Sequence, residues 1–135
     1  MLTDIHDSSL VGYSVDSVRE EIRFKVAPQS WQAFPPFDIV FSGVKAHQFR
    51  WPLLPAILGG LFEQPSQDFL KQEWQEIIAG SQTSAWPGSW SASFETASSF
   101  IHAENLTAFR VESSYGLSGW VLAKSASKVT ASPPA

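Results

Sequence analysis

The chain has 135 residues, of which 16% are charged and 44% are hydrophobic, and its formal net charge is −4. Its nine lysines and arginines are spread along the sequence, whereas binding to a phosphate backbone needs a clustered basic face, so we expect no nucleic-acid partner. Cysteine is absent, which excludes disulfides and thiolate metal sites.

The length suits a single globular domain, which we place at residues 1–124. The first ten residues, MLTDIHDSSL, lack the basic segment and the apolar core of a secretory signal. No apolar run approaches the ~18 residues that a membrane-spanning helix needs. We therefore expect a cytoplasmic protein that does not bind membranes.

A β-hairpin is predicted near the N-terminus. Residues 11–15 (VGYSV) and 22–26 (IRFKV) each alternate between hydrophobic and polar or small side chains. Mostly polar residues separate the two runs, so antiparallel pairing with one buried face is the simplest arrangement.

The longest predicted strand runs from Phe37 to Trp51 (FDIVFSGVKAHQFRW). Hydrophobic residues recur at every second position as far as Phe41, and the phase slips after Gly43. Because side chains alternate with period two, a slip indicates an extra residue, and glycine can adopt the backbone angles of a bulge. We expect a bent central strand that ends at Pro52, followed by a short buried strand at residues 56–58.

Residues 65–80 carry a helical pattern. Leu70, Trp74 and Ile77 lie at i, i+4 and i+7 and share one face, while charged and amide side chains lie largely elsewhere. We expect one amphipathic helix, at about 65–79, that covers a sheet.

Four further strands are predicted at residues 90–94, 98–103, 106–114 and 119–124. Glu104 and Asn105 form a tight turn in this prediction, because asparagine tolerates positive φ. Residues 125–135 (SASKVTASPPA) have few large hydrophobic side chains and end in prolines, which indicates a mobile tail. The elements together predict an α+β, mainly β fold with an antiparallel sheet, either a sandwich or a curled half-barrel, and one helix.

Motifs for catalysis are absent. The three histidines share no metal-ligand spacing, and residues 116–119 (GLSG) lack the spacer of a serine nucleophile elbow. His6 and Asp7 beside Ser8 have the residue types of an acid/base couple, but Asp7 and Ser8 are also typical turn residues, the interpretation that we favour. We expect no catalytic residue, no metal and no other cofactor.

The tryptophans at predicted loops and strand ends allow two interpretations, one structural and one functional. Either they plug the ends of the domain, or they form an exposed patch of the kind that marks a partner site. In the second case we expect binding to another protein, or self-association, through a surface that includes Trp51, Leu53, Leu54, Trp86 and Trp90.

An alternative hypothesis is a small-ligand-binding protein or an enzyme. Its cavity would lie between sheet and helix, and four polar side chains would converge there. These are Tyr13, His47, Arg50 and His102.

Three stretches in the first half of the chain resemble the Imm50-like group of small bacterial immunity-type proteins. They are His6-Asp7-Ser8-Ser9-Leu10 before the hairpin, Phe41-Ser42-Gly43-Val44 in the central strand, and Arg50-Trp51-Pro52 after it. The resemblance implies a compact β-rich fold, a bacterial source and binding to a partner protein such as a toxin. It implies no catalytic residues.

Overall fold

The structure is a computed structural model that describes residues 5–81 and 93–131. The described residues form an α+β, mainly β fold, as predicted. In chain order the elements are β1 (Ser9–Asp16), β2 (Glu21–Ala27), β3 (Phe37–Ser42), β4 (Ala46–Arg50), β5 (Ala56–Gln64), α1 (Ser66–Ser81), α2 (Phe94–Ala103), β6 (Thr107–Tyr115), β7 (Ser118–Ala123) and β8 (Ser125–Thr130).

These strands form one antiparallel sheet with the order β4-β7-β6-β5-β1-β2-β3-β8. The sheet curls strongly, because β3 and β4 follow each other in the chain but lie towards opposite ends of that order. The same holds for β7 and β8. Two backbone hydrogen bonds tie the β3–β4 bend to the β7–β8 bend, from Lys124 N to Ser42 O (3.0 Å) and from Lys45 N to Leu122 O (2.9 Å).

The predicted N-terminal hairpin is confirmed, with β1 and β2 paired from Ser9 opposite Ala27 to Asp16 opposite Glu21. The central strand is bent as predicted, but residues 43–45 interrupt it and divide it into β3 and β4. Gly43 has a φ of +66°, and a Cβ at this position would lie 2.7 Å from Cγ of Lys124. The bend therefore requires glycine.

The inner face of the curled sheet encloses the larger hydrophobic cluster. Alternate residues of six strands meet there, among them Leu10, Ile22, Phe24, Ile39, Phe41, Leu58, Phe109 and Val121. Period-two alternation places these side chains on one face, and their burial removes them from water.

The helices cover the outer face of β4, β6 and β7 and bury a second cluster. Phe69, Leu70 and Ile77 come from α1, so the predicted helix does cover the sheet. The other buried members are Ala97 and Ile101 from α2, the loop residue Leu106, and Ala46, Ala108, Trp120 and Leu122 from the strands.

The prediction of a strand at residues 98–103 is wrong, because these residues belong to α2. The hydroxyl of the N-cap residue, Ser93, accepts a hydrogen bond from Thr96 N at 3.1 Å. Ala97 and Ile101, four positions apart, are fully buried against the sheet. The described residues thus form two helices instead of one. Of the strand predicted at 90–94, residues 90–92 lie outside the described residues.

The prediction of a mobile tail is wrong for residues 125–130, which form β8. This strand pairs with β3 from Ser42 opposite Ser125 to Phe37 opposite Thr130. The Nζ atom of Lys128 also lies 4.3 Å from the ring centroid of Phe37. The open edge of β3 provides the hydrogen-bonding partner, so the ordered domain extends beyond residue 124.

Candidate functional site

The described tryptophans divide between core and surface. Trp120 is buried between the helices and the sheet, and Trp74 of α1 is partly buried against the same cluster. Trp31 and Trp51, in contrast, are 68% and 70% exposed. Trp86 and Trp90, which were predicted as part of a partner surface, lie outside the described residues. One tryptophan of the predicted surface is therefore exposed in the described part of the chain.

A hydrophobic surface surrounds Trp51. Leu53 is 53% exposed, and Leu53 N donates a hydrogen bond to Trp51 O at 2.6 Å. Ile57 and Tyr115, also exposed, lie opposite each other on β5 and β6. The loop lies beside this end of β6, because the carbonyl oxygen of Leu53 is 2.6 Å from where a Cβ of Gly116, the neighbour of Tyr115, would stand. We call the four exposed side chains, Trp51, Leu53, Ile57 and Tyr115, the Trp51 surface.

Two of the five residues of the predicted partner surface are exposed members of this set. Trp51 and Leu53 were expected, while Ile57 and Tyr115 were missed because an exposed hydrophobic residue at a strand end has the same pattern as a buried one. Leu54, the remaining member of the predicted surface that lies within the described residues, is partly buried against the inner cluster. It anchors the loop instead of contributing to its exposed surface.

The backbone of Trp51 is strained. Its φ is +48°, a left-handed conformation that costs a residue other than glycine about 1–3 kcal/mol. Arg50 holds the loop on one side through an ion pair with Glu76 of α1, and Leu54 holds it on the other. The fold thus maintains an unfavourable conformation that presents an indole ring to solvent.

The four polar residues predicted to line a cavity do not converge. His47 and Arg50 lie on opposite faces of β4, since the guanidinium group of Arg50 reaches α1 while the ring of His47 packs on Phe49, at 5.1 Å between centroids. Phe49 also contacts Tyr13 at 5.3 Å. Tyr13 and His47 are therefore brought together through Phe49, whereas His102 is exposed on α2.

A cleft of about 300 Å³ lies beside this aromatic row, between the end of the β1–β2 hairpin and the start of β4. Lys45 lines it, and its Nζ atom lies 2.5 Å from Oε2 of Glu20 and 3.4 Å from Oε1 of Glu104. The hydrogen bond that Lys45 donates to the carboxylate of Glu20 raises the pKa of Lys45. His47 also lines the cleft, and partial burial of its ring lowers its pKa.

The stretch His6-Asp7-Ser8 forms a structural turn, which confirms the interpretation favoured from sequence. Asp7 N donates to Leu58 O at 2.7 Å, and Leu58 N donates to Ser8 O at 2.9 Å. Ser8 is fully buried, and its hydroxyl donates to Ile5 O. Its burial leaves it unavailable to a substrate.

Within residues 5–81 and 93–131, no three histidine, aspartate or glutamate side chains are grouped so as to hold a metal ion. The helices of this part of the chain are also too short or too polar to cross a membrane. Comparison of the chain with protein-family models, curated proteins and solved structures gives no match in any of the three. The site is therefore interpreted from its own geometry.

Proposed function

We propose that this protein is non-catalytic and binds a partner protein through the Trp51 surface. The observation that carries the proposal is the exposed ring of Trp51 on a left-handed backbone. Strained residues persist where the surrounding structure enforces them, and they cluster at sites of function. A conformation that lowers stability while exposing an indole ring is explained by binding.

The surroundings of Trp51 resemble the anatomy of a protein interface. Such interfaces have a hydrophobic centre with aromatic residues and a polar rim. Here the cleft next to Trp51 is lined by Arg50, Glu73, Arg110 and Glu112, two cations and two anions. Because the two cations balance the two anions, these side chains can form hydrogen bonds at the rim of an interface without repelling a partner protein of either net charge.

The resemblance to the Imm50-like group supports a finer proposal, that the partner is a toxin. Arg50-Trp51-Pro52, one of the three similar stretches, contributes both the exposed ring and the ion pair that holds it. The other two stretches form the N-terminal turn and the bend at Gly43. In this proposal they support the fold and the third stretch supports binding.

Affinity capture from cells of the native host tests the proposal. Three tagged baits are compared: the wild type, Trp51→Asn and Trp31→Asn. Trp31 is a matched control because it is equally exposed but lies on a different segment, between β2 and β3. We expect a protein that the wild type and Trp31→Asn capture and that Trp51→Asn loses.

The captured protein is then purified and its Kd is measured against each variant. Interface tryptophans that act as hot spots contribute about 2 kcal/mol or more, so Trp51→Asn should weaken binding about 30-fold. Equal affinity of the wild type and Trp51→Asn would refute the proposal. Equal losses in both tryptophan variants would also refute it, since they would show non-specific hydrophobic capture.

A further inference from the structure

The cleft at the end of the β1–β2 hairpin is bordered by two unpaired strand edges. On one side, β1 pairs with β2 along its length but with β5 only at Ser9 and Leu10. On the other side, β4 is the first strand in the sheet order and pairs only with β7. Within the described residues, no strand lies against the second edge of Gly12–Asp16 or of Ala46–Arg50.

The sequence explains why β5 does not cover this part of β1. Leu10 lies opposite Ala56, so the antiparallel ladder would continue through the residues that precede Ala56. Those residues include Pro55 and Pro52, which have no N–H group to donate. A register shift between Leu10 and Gly12 adds to the separation, because a bulge bends the strand.

The floor between the two edges is hydrophobic. Tyr13 and Val15 lie opposite Phe24 and Ile22, which point into the core, yet they are themselves exposed. On the β4 side the floor continues with Phe49, whose ring contacts Tyr13. Alternating hydrophobic positions beside free backbone groups are what an added strand needs.

The rim of the cleft is acidic. Asp16, Glu20 and Glu21 line it together with the ammonium group of Lys45, which pairs with Glu20, while Nε of Arg23 lies 4.0 Å from Oε2 of Glu21. The carboxylate of Asp16 accepts hydrogen bonds from the backbone N–H groups of Val18 and Arg19. The remaining negative charge favours a cationic residue in whatever binds.

We propose that the groove between β1 and β4 binds an extended basic segment of another protein, which adds as a strand to the free edges. Its alternate hydrophobic side chains lie on Tyr13, Val15 and Phe49, and a lysine or arginine meets the acidic rim. A second copy of the chain fits less well, because a two-fold contact would bring the same carboxylates against each other. The inference does not depend on the Trp51 surface, whose exposed residues are different.

The test uses the full chain, labelled with ¹⁵N, and a capped peptide of sequence KVTVTV. We expect amide shifts concentrated at residues 12–16 and 46–50. The same peptide N-methylated at every residue can donate no ladder hydrogen bond and should give no such shifts. Replacing its lysine by glutamate should weaken binding about two- to fivefold, the effect of an exposed ion pair.

Two variants of the chain locate the site. Val15→Lys places a cation on the groove floor and should abolish the peptide shifts. Val18→Lys adds the same charge in the hairpin turn, at a residue that is 92% exposed, and should retain the peptide shifts. Trp51→Asn should also retain them, which separates this inference from the proposed function. A dispersed amide spectrum of each free variant verifies its fold.

Four results would overturn the inference. They are the absence of peptide shifts at millimolar concentration, equal binding of the N-methylated peptide, equal effects of Val15→Lys and Val18→Lys, and shifts confined to the Trp51 surface. Shifts at residues 12–16 and 46–50 on concentrating the protein without peptide would instead assign the groove to a second copy of the chain.

Discussion

At position 51 the backbone conformation favours glycine or asparagine, but the residue is a tryptophan. Left-handed φ is tolerated best by glycine and asparagine, and the chain has an asparagine with a φ of +55° at Asn105, where sequence predicted a turn residue of this kind. A bulky aromatic residue at φ +48° is a much rarer choice. The local backbone therefore does not explain why residue 51 is a tryptophan.

We predict that Trp51→Asn stabilises the free protein. Relief of the backbone strain should raise the free energy of unfolding by up to about 1 kcal/mol, measured by urea denaturation. Trp31→Asn, the matched exposed control, should change it by less than about 0.5 kcal/mol. A loss of more than about 1 kcal/mol in Trp51→Asn would show instead that the indole ring packs on the fold.

His47 gives a pH-dependent prediction. Partial burial lowers its pKa in the folded state, so the unfolded chain binds a proton more readily. Stability should therefore fall as pH drops from about 6.5, the ordinary histidine value, towards the folded pKa. An NMR titration of the ring should give a pKa below that value.

The stability of His47→Gln over the same pH range provides the control. This variant retains a polar side chain but cannot titrate, so its free energy of unfolding should fall less steeply below about pH 6.5 than that of the wild type. Identical slopes in the two proteins would contradict the assignment of this pH dependence to His47.

At the scale of elements, β4 and β7 depend on an unusually close approach. Gly119 lies opposite Phe49 in this pair, and a Cβ at residue 119 would overlap the carbonyl oxygen of Gln48. β4 has no second strand partner among the described residues. A side chain at residue 119 should therefore separate β4 from the sheet.

We predict that Gly119→Ala lowers the free energy of unfolding by about 3 kcal/mol and accelerates amide hydrogen exchange in β4. Gly12→Ala is the matched control, because a Cβ on Gly12 has no atom within 4 Å. It should change stability by less than about 1 kcal/mol. If the free energy of unfolding fell by similar amounts in both variants, the close approach of β4 and β7 would not be the cause of the loss in Gly119→Ala.

Elements with a long, regular pattern were predictable. The β1–β2 hairpin alternates on both strands, and α1 presents Leu70, Trp74 and Ile77 on one face within about two turns. In α2 the pattern is too short to separate helix from strand, because it has two buried residues, Ala97 and Ile101, with two serines and Phe100 between them. Its N-cap, Ser93, is recognisable only once the helix is known.

The strand β8 could not be predicted from its own residues. Most of its side chains are exposed, so it shows no buried hydrophobic face. It is a strand because β3, whose residues 37–41 are buried, provides a backbone edge that needs hydrogen bonds. The exposure of Ile57 and Tyr115 was missed for a related reason, because the exposure of a residue at a strand end depends on where the sheet stops.

At the scale of the whole molecule, the two hydrophobic clusters share a wall. Successive residues of β7 alternate between them, with Trp120 and Leu122 under the helices and Val121 and Ala123 inside the curled sheet. In β6, Arg110 adds a polar link to α1, because its Nη1 atom lies 2.7 Å from Oε1 of Glu73. Loss of either cluster should therefore disturb the strands on which the other is built.

This shared wall predicts cooperative unfolding. Ile77→Ala removes packing in the helix layer and should cost about 2–5 kcal/mol, and Phe41→Ala removes packing inside the sheet and should cost about 3–5 kcal/mol. In both variants the far-ultraviolet circular dichroism and tryptophan fluorescence transitions in urea should coincide. A circular dichroism transition of Ile77→Ala that occurs in two steps, or that does not coincide with its fluorescence transition, would show that the two layers unfold separately.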